Sequence, residues 1–275
     1  MIKSLLICYA HPDDESFGLG ALIAKYVAEG VEVSLICATN GDVGTVSAEH
    51  LNGYKSVAEL RLAELDCAAK VLGFKEVITF GYRDSGMMGS PDNQHPDSLW
   101  ATPCETVAAR VAEVIRRLRP QVIITFDPFG GYGHPDHIAI HKATLAAWET
   151  VKNDPEHPQK LYYAGFPRTP LKLFVGAMRL LGRDTRHFGT NHDMDLQAIA
   201  DATLPVHTRV DTKDYSEIGQ RAAACHASQI SPAQTNRVAG LLMRVFAVDS
   251  GFTRVEPPPA PGESVERDLF AGVVG

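Results

Sequence analysis

Within the first forty residues Ser4–Tyr9 ("SLLICY") is a continuous apolar run, Val31–Ala38 reads as the next strand, and one helical stretch lies between them. A run without polar alternation suits a strand covered on both faces, and such strands belong to parallel sheets. Gln121–Phe126, "QVIITF", repeats the pattern, and Glu76–Phe80 gives a shorter copy. Between these runs the apolar period becomes helical. The helices predicted are Phe17–Glu29 ending at Gly30, Lys55–Leu72 ending at Gly73, Thr106–Leu118 stopping before Pro120, and Pro135–Val151. Strands alternating with helices predict right-handed βαβ units. The fold class is therefore α/β: a doubly wound, Rossmann-like, mostly parallel sheet with helices on both faces.

The chain is less regular after Ala164. Leu171–Leu181 is apolar with scattered basic residues and suits a core helix, a lid or a dimer contact. Pro205–Val210 reads as a strand, Asp214–Ala227 as a helix, and "EPPPAPGE" at 256–263 as an extended surface segment. With no internal repeat and no linker, residues 1–275 read as a single domain, with a core over 1–165 and a part, 166–275, that completes and covers the site.

In doubly wound sheets ligands sit beyond the carboxyl ends of the strands, near the switch in strand order. The tripeptide His-Pro-Asp occurs three times. His11-Pro12-Asp13 follows the first strand directly, and His134-Pro135-Asp136 lies a few residues past "QVIITF". His95-Pro96-Asp97 sits in the polar loop "GSPDNQHPDSLW" with no strand before it, and reads as a turn favoured by Pro and Asp. The first copy continues as "HPDDE", the third as "HPDH". A transition metal in a catalytic site wants imidazole nitrogens and a carboxylate, with one position left open. His11 and Asp14, with either His134 or His137 from the facing loop, make that set and leave a carboxylate over to act as base.

Other classes are disfavoured. "GLGALIA" starts at Gly18, several residues late and behind three carboxylates that would repel a pyrophosphate, so no nucleotide cofactor is expected; Gly18 and Gly20 are read as allowing close helix–sheet packing. A formal net charge of −7 argues against nucleic acid. No run is long enough for a membrane span, and "MIKSLLICYA" is too short for a secretory signal. The five cysteines (Cys8, Cys37, Cys67, Cys104, Cys225) are odd in number and widely spaced, which predicts free thiols in a reducing, cytoplasmic setting.

"AHPDDE" near the N-terminus and "GHPDH" about 120 residues later resemble the PIG-L/LmbE family of zinc-dependent N-deacetylases. "RLAELDCAAKVLG" from Arg61 fits the same pattern. "GYRDSGMMG" at 81–89 is similar to the branch of mycothiol deacetylases and mycothiol-conjugate amidases, and "CHASQ" at 225–229 to an element of the family's C-terminal part. The stretch 166–202 matches nothing in the family. The resemblance implies that His11, Asp14 and His137 bind zinc and that Asp13 is the general base. It implies that His134 stabilises the oxyanion or protonates the amine, oriented by Asp136, and that Arg61, Asp84 and Tyr132 hold the substrate.

The activity so implied is removal of the N-acetyl group from an N-acetylglucosaminyl conjugate of a small metabolite, giving acetate and a free amino sugar. One alternative is an amidase that releases a larger acyl group from a glucosaminyl thiol conjugate. The other is a non-catalytic sugar-binding protein of the same fold, against which stands Asp13, a residue that binding alone does not require. Zn2+ is the expected ion, and Fe2+ is compatible with a His₂Asp set. The expected partner is a small-molecule substrate; a homo-oligomer is compatible with the chain, with Leu171–Leu181 as its candidate surface.

Overall fold

A computed structural model describes residues 2–164, 168–187, 195–202, 204–230 and 249–274. The chain begins with β1 (Ser4–Tyr9), α1 (Asp14–Ala28), β2 (Glu32–Thr39), the single turn α2 (Ala48–Leu51), α3 (Val57–Leu72) and β3 (Glu76–Tyr82). It continues with α4 (Cys104–Leu118), β4 (Val122–Phe126), the short α5 (Gly130–Gly133), α6 (Pro135–Val151) and β5 (Lys160–Ala164). Beyond these lie α7 (Arg168–Leu180), α8 (Leu196–Ala202), β6 (Thr208–Asp211), α9 (Ser216–Cys225) and β7 (Asp249–Glu256).

One sheet of order β3-β2-β1-β4-β5-β7-β6 runs through the molecule. Its first five strands are parallel, and β7 pairs antiparallel with both β5 and β6. β1 and β4 are buried almost throughout, as their unbroken apolar sequences require. α1, α3 and α9 pack on one another, while α4 and α6 form a separate layer. The strand order switches between β1 and β4, and both His-Pro-Asp motifs predicted to be functional leave the carboxyl ends of those two strands.

Three sequence expectations change. α1 starts at Asp14, three residues before the predicted boundary, and so brings Asp14 and Glu15 into its first turn, where the positive end of the helix dipole favours carboxylates. Gly20 serves a helix–helix contact: a Cβ there would lie 3.0 Å from Gly219 Cα in α9, whereas Gly18 faces open space. The expectation of five free thiols is corrected, because Cys67 of α3 and Cys225 of α9 form a disulfide. Spacing could not reveal it, since the two lie 158 residues apart. Cys8, Cys37 and Cys104 are free. The cysteines therefore give no support for a reducing compartment.

The bridge closes a long loop, so its removal should be felt mainly in the unfolded chain. Replacing both Cys67 and Cys225 with serine is expected to lower stability by about 2–4 kcal/mol. A urea midpoint unchanged between the variant and the oxidised parent would contradict this.

α7 buries Leu171 and Val175 against Leu196, Ile199 and Ala200 of α8. Leu173, Leu180 and Leu181 face outward. Among the described residues no helix is long and apolar enough to cross a membrane.

Candidate active site

Each candidate side chain is placed by a short structural device. His11 follows β1 after Ala10, and Asp13 occupies the N-cap position of α1 with φ 130° and no side-chain capping bond. Its carboxylate is thus left to face the site. Across the switch point, β4 ends at Phe126 and the chain turns through α5 before α6 begins at Pro135. Gly130 makes that turn with φ 73°, and a Cβ there would lie 2.8 Å from Ile138 Cγ1 and 3.1 Å from His137 Cβ. A side chain at 130 would push on the very turn that carries His137.

His137 lies flat on the Phe126 ring, centroids 3.8 Å apart. Its Nδ1 pairs with the Gly130 carbonyl at 3.1 Å. A carbonyl only accepts, so the proton sits on Nδ1 and Nε2 presents a lone pair. That Nε2 lies 3.1 Å from His11 Nδ1 and 3.3 Å from Asp14 Oδ1, and His11 Nδ1 is 3.4 Å from Asp14 Oδ2. Donors ~2.0–2.1 Å from a tetrahedral ion lie about 3.3–3.4 Å from one another. His11 Nδ1, His137 Nε2 and the Asp14 carboxylate, one oxygen of which faces each imidazole, therefore make a donor triangle with the spacing a zinc-sized cation needs.

The charge of the site agrees. Burial pulls the His11 imidazole down, yet the carboxylates of Asp84, Asp136 and Asp14 together hold it well above the ordinary histidine range. Burial likewise lifts Asp14, but His137 and His11 hold its carboxyl well below the usual value. A cluster that stabilises positive charge this strongly suits a divalent ion. The donor atoms of two overlapping buried sets, His11–His134–His137 and His11–Asp84–His134–Asp136, also lie within 4.8 Å of one another.

His11 Nε2 points away from the triangle, to Asp136 Oδ2 at 3.1 Å. The same carboxylate takes the Ser85 amide at 2.9 Å and the Ser85 hydroxyl. Asp136 thus orients His11, the outer-shell arrangement that fixes a ligand's tautomer. Asp136 also holds His134, as expected, but through its backbone amide and not its carboxylate. His134 caps α6, its Nδ1 accepting the Asp136 amide at 3.2 Å, so its free hydrogen is on Nε2. Burial, with repulsion from His11 and His137, pushes His134 down to about 2, and it is a neutral ring.

Asp13 stands beside the triangle. Its Oδ2 takes Arg61 Nη2 at 2.9 Å, and the same Nη2 donates to the Pro12 carbonyl at 2.6 Å. Arg61 is buried, and it touches the carboxylate expected to be the base. Burial lifts the Asp13 carboxyl to about 7, against the pull of the Arg61 cation. Asp84 Oδ1 lies 3.7 Å from His11 Nε2 and accepts the Gly86 amide. The Tyr132 ring meets His137 edge-on at 5.0 Å and His134 at 5.9 Å. All nine residues singled out in the sequence thus fall in one cluster. His95 does not join it: it caps a 3-10 turn, with the Asp97 amide bonded to its Nδ1. Ser85 was not anticipated; Glu15 and His226 lie in the "HPDDE" and "CHASQ" stretches, but their pairing with each other was not foreseen.

A doubly wound sheet with a buried His/Asp cluster at its switch point is an α/β fold that offers a metal ion a set of donors. The family model described as PIG-L, GlcNAc-PI de-N-acetylase, matches residues 6–148, and the chain belongs to this family of N-deacetylases. It is 36% identical over 293 residues to the 1D-myo-inositol 2-acetamido-2-deoxy-alpha-D-glucopyranoside deacetylase of Acidothermus cellulolyticus, covering 99% of this chain and 96% of the relative. Among solved structures, N,N'-diacetylchitobiose deacetylase from Pyrococcus horikoshii aligns with TM-score 0.58 at 22% identity, over 92% of this chain and 84% of that one. The 4-carboxy-2-hydroxymuconate hydratase of Pseudomonas putida KT2440 aligns as well, with TM-score 0.59 at 19% identity, over 96% and 100%. A hydratase on the same scaffold means the fold alone does not fix the reaction.

Proposed function

We propose that this enzyme hydrolyses the N-acetyl group of an N-acetylglucosaminyl conjugate whose aglycone is a myo-inositol, with a zinc ion held by His11, Asp14 and His137. The observation that carries the reading is the donor triangle with Asp13 set beside it. The inositol follows from the named activity of relatives that match almost the full length of the chain. When bound, such an ion supplies Lewis acidity toward an amide carbonyl and a water.

The protein's own groups do the rest. Arg61 holds Asp13 by Oδ2, which leaves Oδ1 to take the proton of an attacking water. His134, neutral with its hydrogen on Nε2, donates to the oxygen on which negative charge develops. A neutral ring is a poor source of a proton, so Asp13 returns the one it took to the leaving amine. Asp84 and Tyr132 flank the triangle and contact the sugar. The residues after 165 complete the site: His226 and Ser228 reach Glu15 and Glu64, on the helices that carry Asp14 and Arg61.

The test is metal-dependent release of free amine from a panel of N-acetylglucosaminides bearing inositol, malate or a second sugar, together with a thiol conjugate carrying a bulky acyl group. Release from the inositol conjugate alone supports the reading. Preference for the bulky acyl group would make the enzyme an amidase instead.

Arg61 should also leave a mark on the pH profile. Asp13 works as a base only when ionised, and the Arg61 cation favours its ionised form. In Arg61→Ala the carboxyl pKa rises, so the acid limb of kcat/KM moves to higher pH and the rate at low pH falls. A limb that stays put or moves down in pH would show that Arg61 does not act on the base.

A further inference from the structure

Asp13 holds a backbone conformation that non-glycine residues rarely adopt, φ 130° with ψ −29°. Such a conformation is strained for a residue with a Cβ and persists only where the surroundings enforce it. Part of the enforcement is local: the Asp13 carbonyl accepts the Ser16 and Phe17 amides, both at 3.0 Å. The peptide before it is held on both sides: Arg61 Nη2 donates to the Pro12 carbonyl at 2.6 Å, and the Glu15 side chain accepts the Asp13 amide on Oε2 at 3.0 Å.

Glu15 is in turn held from the far end of the chain. Its Oε1 takes His226 Nε2 at 2.7 Å, and both side chains are fully buried. A wholly buried carboxylate–imidazole pair is costly to desolvate and poor at adding stability. It does fix direction, because a carboxylate with one oxygen bound to His226 has the other aimed at a single amide. The turn that carries His226 is itself fastened twice more. Ser228 gives its amide and hydroxyl to Glu64 of α3, at 2.8 and 2.7 Å, and Cys225 is bonded to Cys67 of the same helix. α9 also lies against α1 closely enough that a Cβ on Gly219 would come within 2.7 Å of the Ala21 amide.

We propose that Glu15 and His226 are positioning residues for the reaction: the turn at 225–229 clamps Glu15, and Glu15 sets the backbone of Asp13 so that its carboxylate meets the attacking water. This rests on Asp13 being the base. Neither residue touches the donor triangle through an atom that would bind the ion, so metal retention and turnover should separate.

The experiment is a double-variant cycle on the full chain loaded with zinc, with kcat, KM and bound metal measured for each protein. His226→Ala is expected to keep its metal and its KM within about twofold while kcat falls about 10- to 100-fold, the scale of a small misplacement of a catalytic group. His226→Gln, whose amide can still donate to Glu15, should recover most of that loss. In the Asp13→Ala background the same His226→Ala change should lower kcat no further, because there is no carboxylate left to position. If His226→Ala does not fold, His226→Leu fills the volume without a donor and takes its place.

A kcat unchanged in His226→Ala overturns the proposal. So does a multiplicative fall in the double variant, which would mean general damage to the fold. Failure of Asp13→Ala alone to slow turnover would instead sink the assignment of the base, and is read from a different member of the cycle.

Discussion

Asp13→Asn is expected to keep its bound metal and to lose turnover by about 10²–10⁴-fold, the usual contribution of a positioned base. Asparagine matches the shape of the carboxylate, tolerates positive φ better than alanine, and can still accept from Arg61, so the substitution removes the proton acceptor and little else. The metal should stay because the close donor pairs join His11, His137 and Asp14, while the carboxylate of Asp13 is turned to Arg61. Metal analysis and turnover on one preparation check both halves. An Asn variant that has lost its metal would place Asp13 among the ligands; one that retains more than a tenth of parental kcat would remove it as the base.

The centre of the sheet was legible because β1 and β4 are buried almost throughout: Ser4–Tyr9 and Val122–Phe126 have no charged residue to blur them. The antiparallel end was legible only in part. The edge strand β6 overlaps the predicted Pro205–Val210, but β7, between β5 and β6, carries a glycine and an arginine and owes its place to antiparallel pairing, a long-range relation that no local period encodes. The stretch 188–194, which matched nothing in the sequence, lies outside the described residues.

At the site, residue types were legible and partners were not. A His-Pro-Asp motif at a strand's end announces His11 and His137, but Asp136 could turn to either neighbouring imidazole. Only the packing of the 83–86 segment, where Ser85 gives amide and hydroxyl to Asp136, directs it to His11. Arg61 was read as a substrate contact, and the structure places its guanidinium on the Asp13 carboxylate. Glu15 was one carboxylate of three in "HPDDE", and its partner is 211 residues away. Sequence spacing reports what shares one helix turn, and these contacts cross from one element to another.

His137→Ala is expected to lose the metal, and with it the activity. Deleting a partner that only orients a ligand costs roughly 10- to 100-fold in affinity, so deleting a ligand outright should cost more. Asp136→Asn supplies that lesser case in the same protein, because Asp136 touches His11 Nε2 and none of the three donor atoms. The revealing comparison is His134→Ala. His134 belongs to the overlapping buried set with His11 and His137, but its Nδ1 is engaged by the Asp136 amide, and the proposed mechanism uses the ring as a donor toward substrate. It should therefore keep its metal through dialysis against a weak chelator while kcat falls. Metal lost from His134→Ala and kept by His137→Ala would exchange the two imidazoles: His134 would complete the coordination set, and His137, stacked on Phe126, would be left to bind the substrate.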